Sequence, residues 1–226
     1  MFILINKPKK MNFPSNLNKY LFSIFCFILY INTNSIAQEK EWEKEVSSDG
    51  SIEVDYRIYK EKDEKDEEIQ IVEYKIITSQ VLDFEKCIRM MDDITNHKDF
   101  SDETEESYKL KDLSEDKSLI YYYIDAPWPM PNSDCVSILT IIENEDSKVY
   151  KLSASPDSFE MQDVKRMVIS EAYYSFEKGA GNEVKITNYS KFSPVTNVPQ
   201  WLLNTWFPKG PIHIMENIIA KIREQP

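Results

Sequence analysis

Two apolar segments separated by three closely spaced prolines constrain the fold of this chain most strongly. Residues 119–142 have the sequence LIYYYIDAPWPMPNSDCVSILTII. Residues 119–124 are apolar and, after Leu119, all β-branched or aromatic, which favours a half-buried strand. Pro127, Pro129 and Pro131 donate no backbone hydrogen bond, so they predict a sheet edge, a bulge or a turn. The segment therefore predicts two buried strands joined by a proline-rich corner.

Residues 1–37 have the pattern of a secretory signal peptide that is cleaved near Ala37. They carry four lysines and no acidic residue, and an 11-residue apolar segment lies at positions 21–31. The small side chains of Ser35 and Ala37 suit the cleavage site. A membrane anchor is the alternative interpretation, but a spanning helix needs about 20 apolar residues. We therefore expect an exported protein that is periplasmic or secreted.

The mature chain, residues 38–226, has the length of one domain and a strong negative charge. Removing 37 residues from 226 leaves 189, and removing their four lysines from 27 basic residues leaves 23 against 39 acidic residues, a net charge of −16. Such a chain repels phosphate backbones and anionic lipid surfaces, so nucleic-acid binding is disfavoured. The chain has only four glycines, so it lacks glycine-rich phosphate loops.

Cys87 and Cys135 are the two cysteines of the mature chain, an even number that permits a disulfide in an exported protein. Both lie in apolar contexts, where buried free cysteines are common. We therefore favour two free thiols and keep the disulfide bridge as the alternative.

Hydrophobic periodicity predicts an α+β chain with helices on one face of an antiparallel sheet. Two segments have helical spacing, namely residues 80–97, which Ser79 can cap, and the segment after Pro199. Pro208 and Pro211 are expected to kink the last helix. The remaining predicted elements are a polar helix or arm at 39–48, anchored by Trp42, and strands at 51–60, 69–78, 107–113, 119–124, 135–143, 149–155, 165–177 and 183–192.

Two separate motifs resemble those of the START (StAR-related lipid-transfer) domains. The corner PWPM at residues 127–130, followed by NSD at 132–134, is similar to the family's P-F/W-P-hydrophobic-x-x-R-D corner. The segments SP at 193–194 and VPQWLLN at 198–204 resemble the family's D-P-x-G-x-I-P-x-W-L-V-N segment, which opens its last helix. The resemblance extends over about residues 40–224. It implies a helix-grip fold, in which a curved antiparallel sheet wraps around a long C-terminal helix and leaves an apolar tunnel between them.

The sequence departs from the family pattern in two places. Ser133 stands where the family often carries an arginine, which in some phospholipid-binding members pairs with a phosphate. Serine donates one neutral hydrogen bond and forms no bidentate charged pair. We therefore expect a neutral or weakly polar lipid, or a fatty-acid-like molecule, as the ligand. The second departure is the absence of glycine from residues 193–198.

Candidate catalytic and metal-binding groups are few. His97 and His213 are the only histidines, and neither has the spacing of a metal site. The acidic neighbours of His97 predict a surface position. A surface or packing role is also favoured for His213 over a position in the tunnel. Nucleophilic pairing of Cys135 with either histidine stays open but disfavoured, and we expect no metal, no cofactor and no catalytic residue.

One predicted strand has the composition of a cavity wall. On residues 165–177, the small residues Ser170 and Ala172 lie on an otherwise apolar face that also holds Tyr174 and Phe176. Small side chains there would leave space beneath the last helix, as an apolar cavity needs. A large neighbouring side chain that fills this space is the alternative. The predicted ligand-binding residues are Tyr122, Ser133, Ser137, Leu139, Val168, Ser170, Ala172, Tyr174, Asn188, Leu203, Phe207, Ile214 and Ile218.

The resemblance implies non-enzymatic binding of a hydrophobic small molecule or lipid in the tunnel, with transfer between membranes as a further use of the same site. We expect residues 38–226 to form a single START-like domain that is monomeric and contacts membranes transiently. A cavity enzyme of the aromatase/cyclase type is one alternative, with His213, Glu171 or Tyr174 as its polar residues. An interaction module with a filled core is the other alternative.

Overall fold

The structure is based on one large β-sheet, whose strands are formed by residues of alternating polarity. The computed structural model describes residues 40–63 and 65–225, so the predicted signal peptide at residues 1–37 lies outside the described residues. Within them, ten strands form one sheet. The strands are β1 (Glu43–Val46), β2 (Ile52–Lys62), β3 (Glu68–Val81), β4 (Thr104–Asp112), β5 (Lys117–Ile124), β6 (Ser133–Asn144), β7 (Ser147–Ala154), β8 (Lys165–Arg166), β9 (Ser170–Lys178) and β10 (Glu183–Phe192).

The sheet is antiparallel except at one short strand. Its order is β1-β2-β3-β10-β9-β7-β6-β5-β4, and β8 pairs in parallel with β6. In β2, the side chains of Ile52, Val54 and Ile58 are buried, and the residues between them are more exposed. This alternation is typical of a strand with one face on the core, and it confirms the strand predicted at residues 51–60.

Helices give the chain the α+β, helix-grip architecture that the sequence predicts. Helix α1 (Phe84–Asp92) packs against the C-terminal helix α3 (Lys209–Glu224), which also contacts β2 and β3. Helix α2 (Gln200–Trp206) precedes α3, and a short 3-10 helix, Ile94–Asp99, follows α1. Among the described residues, no helix has the length and apolar composition needed to cross a membrane.

The first helix begins later than predicted, and Asp83 caps it instead of Ser79. Strand β3 continues through Val81, which pairs with Glu183 of β10, so ladder hydrogen bonds hold residues that the periodicity assigns to the helix. The Asp83 carboxylate then accepts a hydrogen bond from the Lys86 N–H at 3.1 Å, which satisfies a free donor of the first turn. The predicted helix is therefore too long at both ends. Its first residues belong to β3, and its last residues belong to the 3-10 helix.

The predicted strand at residues 165–177 is two separate strands. Strand β7 pairs with β6 only from Ser137 onward, so the first residues of β6 have an open side. Strand β8 fills this side by pairing in parallel at Ser133. Between β8 and β9, Val168 lies on a bend and is 65% exposed.

The predicted polar helix or arm at residues 39–48 contains a strand. Strand β1 pairs antiparallel with β2 and forms one edge of the sheet. Trp42, the expected anchor, is 43% exposed, and the Arg57 guanidinium lies 4.5 Å from the centroid of its ring. The polar composition of this segment therefore belongs to an exposed sheet edge, where charged side chains are common.

The C-terminal helical segment is broken where a kink is predicted. Helix α2 ends at Trp206, and α3 begins at Lys209, directly after Pro208. Pro211 causes no kink, because it lies in the first turn of α3, where its missing N–H leaves no hydrogen bond unmade. The buried stripe of α3 consists of Pro211, Ile212, Met215, Ile218, Ile219 and Ile222.

Candidate ligand-binding cavity

A cavity of about 570 Å³ lies between the sheet and the C-terminal helices. This volume falls within the range of about 300–1,000 Å³ that is usual for small-molecule sites. The corner between β5 and β6 and residues of α2 line one end of the cavity. Trp128, in this corner, is 92% exposed, and Thr196 and Thr205 are also exposed. This end is therefore the mouth of the cavity.

Strand periodicity sets the walls of the cavity. Strand β6 presents Ser133 and Ser137 to it, because alternate residues of a strand share one face. Strand β9 presents Ser170, Ala172 and Tyr174 in the same way. The small side chains on β9 leave open space beside them, as the sequence analysis predicts.

Most of the predicted ligand-binding residues line this cavity. They come from segments that are far apart in the sequence, and the fold brings them around one space. Their contact with a ligand remains a prediction. The predicted residues in the lining are Tyr122, Ser133, Ser137, Ser170, Ala172, Tyr174, Leu203, Phe207 and Ile214.

The other predicted residues, Leu139, Val168, Asn188 and Ile218, lie outside the lining. Leu139 and Ile218 belong to the hydrophobic core, with 3% and 0% exposure. Asn188 is fully buried, and its side-chain amide donates to backbone carbonyls of β9 and β10 at 3.1 and 3.3 Å. Val168 lies on the exposed bend before β9. Core side chains thus occupy part of the space under the helices.

His97 is a buried lining residue, in contrast to the predicted surface position. Its side chain is on the 3-10 helix, and the residue is 6% exposed. Nδ1 lies 2.8 Å from the Tyr122 hydroxyl, and Nε2 lies 3.0 Å from the Met91 carbonyl oxygen. A signal for burial is present in the sequence, because apolar Ile94 and Phe100 lie three residues on either side. A 3-10 helix places residues at this spacing on one face.

Burial shifts the pKa values of both members of the His97–Tyr122 pair. Burial lowers the pKa of His97, against the smaller raising effects of the Met91 carbonyl and of Asp93. Burial also raises the pKa of Tyr122 well above its ordinary value, with smaller contributions from Tyr174 and a neighbouring cysteine. Both shifts favour the neutral form of the side chain.

The other histidine and the cavity cysteine do not form a nucleophilic pair. His213 is exposed, and its Nε2 lies 3.4 Å from an Asp102 carboxylate oxygen. Cys135 is buried and free, as is Cys87, and its Sγ lies 3.3 Å from the Ser137 hydroxyl. Because both nitrogens of His97 bind other groups, that histidine does not activate Cys135. Burial raises the pKa of the Cys135 thiol, which disfavours the reactive thiolate.

Comparison with known proteins identifies the fold. No protein-family model matches the chain, and no curated protein matches it significantly. The STAR-related lipid transfer protein of Xanthomonas axonopodis superposes with a TM-score of 0.66 at 19% identity, over 82% of this chain and 100% of that chain. Human STARD10 superposes with a TM-score of 0.67 at 15% identity, over 97% and 84%. This chain has the START fold.

The START fold also occurs in an enzyme that matches this chain more weakly. The Zhui aromatase/cyclase from Streptomyces sp. R1128 superposes with a TM-score of 0.50 at 6% identity, over 68% of this chain and 94% of that chain. The fold alone therefore does not separate a binding protein from an enzyme, and the lining residues must decide.

In this START fold, the aspartate of the corner motif belongs to a buried ion pair. Asp134 precedes the strand predicted at residues 135–143, but it is the second residue of β6, and its side chain lies on the opposite face from Ser133. Arg166 donates to the two Asp134 carboxylate oxygens at 2.9 and 2.7 Å, and the side chains are 2% and 0% exposed. Arg166 also donates to three backbone carbonyls of residues 156–160. Asp134 and Arg166 are 32 positions apart, so the strand pattern of residues 165–177 contains no signal that Arg166 binds Asp134.

The lining of the START-fold cavity carries little charge. Among the described residues, no lysine or arginine lines it, and Glu103 is its one carboxylate. Arg166 lies close to the corner in the fold, but its guanidinium already binds Asp134. The polar groups left to meet a ligand are mainly hydroxyls, a thiol and the His97–Tyr122 pair.

Proposed function

We propose that this protein binds an uncharged hydrophobic small molecule or lipid non-covalently and does not act as an enzyme. The observation that carries the proposal is the cavity of about 570 Å³, whose lining is mostly apolar. Burial of apolar ligand surface there would contribute roughly 25 cal/mol per Å². The structural neighbour named as a STAR-related lipid transfer protein supports a lipid as the ligand class.

The charge of the lining supports an uncharged ligand. Moving a carboxylate or phosphate out of water without a cationic partner is costly. Ser133 can donate only a neutral hydrogen bond, and Arg166 is bound to Asp134. The Glu103 carboxylate would repel an anionic head group. An alcohol or other neutral head group therefore suits the cavity better than a phosphate or an ionised fatty acid.

Two measurements on residues 38–226 test the proposal. They are mass spectrometry of an organic extract and the native mass of the purified protein. We expect one neutral apolar molecule in stoichiometric amount. Ala172→Leu should reduce its occupancy, because the larger side chain fills space in the cavity wall. Ala180→Leu, at an exposed turn position, is the matched control. A folded protein whose extract is empty and that takes up no Nile red, a neutral apolar dye, would contradict the proposal.

A cavity enzyme of the aromatase/cyclase type is the second candidate, because the cavity contains the His97–Tyr122 pair. Of the three residues predicted for such an enzyme, His213 and Glu171 are exposed, and Tyr174 lines the cavity. The lowered pKa of His97 makes it a weaker base, and the raised pKa of Tyr122 makes it a weaker acid. Conversion of the extracted ligand into a product of different mass, abolished by Tyr122→Phe, would favour the enzyme.

We further propose that the protein is exported, acts as a monomer and contacts membranes transiently at the mouth of the cavity. Export rests on the signal-peptide pattern of residues 1–37, and a mature N-terminus at Gln38 in the exported fraction would support it.

Membrane contact rests on Trp128, because an exposed indole suits a membrane interface. Brominated lipids should quench tryptophan fluorescence less in Trp128→Ser than in the control Trp42→Ser, because Trp42 is also exposed but does not line the cavity. Light scattering measures the oligomeric state.

A further inference from the structure

The hydrogen bonds of His97 determine which atoms of the His97–Tyr122 pair carry the protons. Nε2 lies 3.0 Å from the Met91 carbonyl oxygen, and Nδ1 lies 2.8 Å from the Tyr122 hydroxyl. A carbonyl oxygen only accepts, so Nε2 carries a hydrogen and donates to Met91. The other nitrogen of a neutral imidazole is an acceptor. The Tyr122 hydroxyl therefore donates its proton to Nδ1.

The surroundings of the pair keep both side chains neutral. The His97 ring stacks on Phe100 and Tyr122, with 5.0 and 6.1 Å between centroids. Burial lowers the pKa of His97 and raises the pKa of Tyr122. Asp93 is the charged group that acts on His97, and its raising effect is smaller than the effect of burial. The proton arrangement of the pair is thus the one set by the Met91 carbonyl.

We propose that His97 is a specificity-determining residue, because it accepts the one proton of the Tyr122 hydroxyl and leaves the oxygen of this lining residue as an acceptor only. In the described part of the chain, no other group donates to this oxygen, so its lone pairs are available to a ligand. A ligand head that meets Tyr122 must then donate a hydrogen bond. The cavity would select an alcohol over a ketone of the same shape, an inference that rests on the proposed binding function.

The serine hydroxyls of the lining do not impose this choice. Ser133, Ser170 and Ser190 line the cavity with hydroxyls that rotate and can either donate or accept. The Glu103 carboxylate, when ionised, accepts only, so it also favours a ligand that donates. Two acceptors that face each other in a buried site lose a hydrogen bond and remain desolvated, which is how a polar site rejects a mismatched ligand.

Displacement of Nile red by cyclododecanol and by cyclododecanone tests the inference with two competitors of the same carbon skeleton. The purified protein should bind the alcohol about five-fold more tightly than the ketone, which corresponds to about 1 kcal/mol for one hydrogen bond. Loss of Nile red binding in Ala172→Leu would show that the dye reports on this cavity. Equal competition by the two molecules would overturn the inference.

Two variants change the alcohol-to-ketone ratio in different ways. Tyr122→Phe removes the acceptor, so the affinity for the alcohol should fall and the ratio should approach one. His97→Phe frees the Tyr122 proton, so the affinity for the ketone should rise. A purely structural role of His97 would instead lower both affinities. Tyr173→Phe removes a hydroxyl from the same strand at a position outside the lining, and it should keep the ratio.

The outcomes separate a failure of the inference from a failure of the proposed function. A protein that takes up neither Nile red nor either competitor would overturn both. Uptake of the dye with equal competition would overturn the inference alone. If circular dichroism shows that His97→Phe is unfolded, Tyr122→Phe decides the question, because an unchanged ratio in that variant contradicts the role given to the Tyr122 oxygen.

Discussion

Arg166 joins two segments behind the corner, because its guanidinium binds both the Asp134 carboxylate and the backbone carbonyls of residues 156–160. The Asp134 side chain is fully buried. Removing one partner of a buried ion pair leaves an uncompensated charge. We expect Arg166→Met to lower the free energy of unfolding by about 3–5 kcal/mol, measured by urea denaturation.

Two control variants separate burial from charge alone in this experiment. Lys62 and Asp66 form an ion pair whose side chains are 66% and 79% exposed. Lys62→Met should therefore cost less than about 1 kcal/mol. The double variant Asp134→Leu/Arg166→Met removes both buried charges and should recover much of the stability. If Arg166→Met lowers the free energy of unfolding as little as Lys62→Met does, the prediction is contradicted.

The buried imidazole of His97 predicts a loss of stability on acidification. In the folded protein, burial lowers its pKa below the value of about 6.5 expected in the unfolded chain. Between these two pKa values the unfolded state binds more protons. The free energy of unfolding therefore falls as the pH falls through this window, by at most about 1.4 kcal/mol per pH unit, and levels off below the folded-state pKa.

Urea denaturation at successive pH values below neutrality measures this effect of His97. The stability difference between wild type and His97→Phe should shrink on acidification, because only the wild type carries the buried imidazole. His213→Phe, at an exposed position, is the control for removing a histidine. A difference that is independent of pH would show that His97 is not held neutral in the folded protein.

At the scale of single residues, the sequence predicts the face that a strand residue occupies better than the partner that its side chain contacts. A period of two places Ser133 and Ser137 on the cavity face of β6. The charged neighbours of His97 predict a surface position, yet its partner Tyr122 lies 25 positions away. A local pattern contains no information on such a partner.

At the scale of elements, local periodicity predicts that strands and helices exist, and long-range pairing decides where they end. Strand β3 extends beyond its predicted end because β10 pairs with it as far as Val81. Strand β9 begins late because β8 pairs with the open side of β6. The two strands of each pair are separated by many residues, so no short window of the sequence predicts these boundaries.

The break between α2 and α3 brings Trp206 against Gly210. This contact predicts that Gly210→Ala weakens ligand binding in the cavity. A Cβ at position 210 would lie 2.1 Å from Cε2 of Trp206. Trp206 lines the cavity and packs edge-on against Phe207, with 4.5 Å between centroids. Gly210→Ala must displace the indole. We expect Nile red to bind roughly five-fold more weakly, for a loss of about 1 kcal/mol of apolar contact.

A double-mutant cycle tests whether the effect of Gly210→Ala passes through Trp206. Trp206→Leu removes the indole, so adding Gly210→Ala to this variant should not weaken Nile red binding further. Tryptophan emission should also change on Gly210→Ala in the wild-type background. Additive effects of the two substitutions would show that the glycine acts on the helix and not on the indole.

At the scale of the whole molecule, one sheet supports both a packed core and a cavity. The α+β pattern and the two motifs predict the fold class, because they involve both the central strands and the last helix. The extent of the cavity is harder to predict, since Leu139 of β6, Phe176 of β9 and Ile218 of α3 all belong to the packed core. Whether space remains depends on side chains from distant elements, and no single strand pattern contains that information.

The net charge of residues 38–226 predicts which membranes accept a ligand from the protein. Residues 38–226 carry a net charge of −16, so they are repelled by an anionic surface. Transfer of Nile red to phosphatidylcholine vesicles should be about ten-fold faster than to phosphatidylserine-rich vesicles at low salt. Salt shortens the Debye length to about 10 Å at 0.1 M and should narrow this difference. Faster transfer to the anionic vesicles, or a difference that does not respond to salt, would mean that a local patch and not the net charge governs the contact.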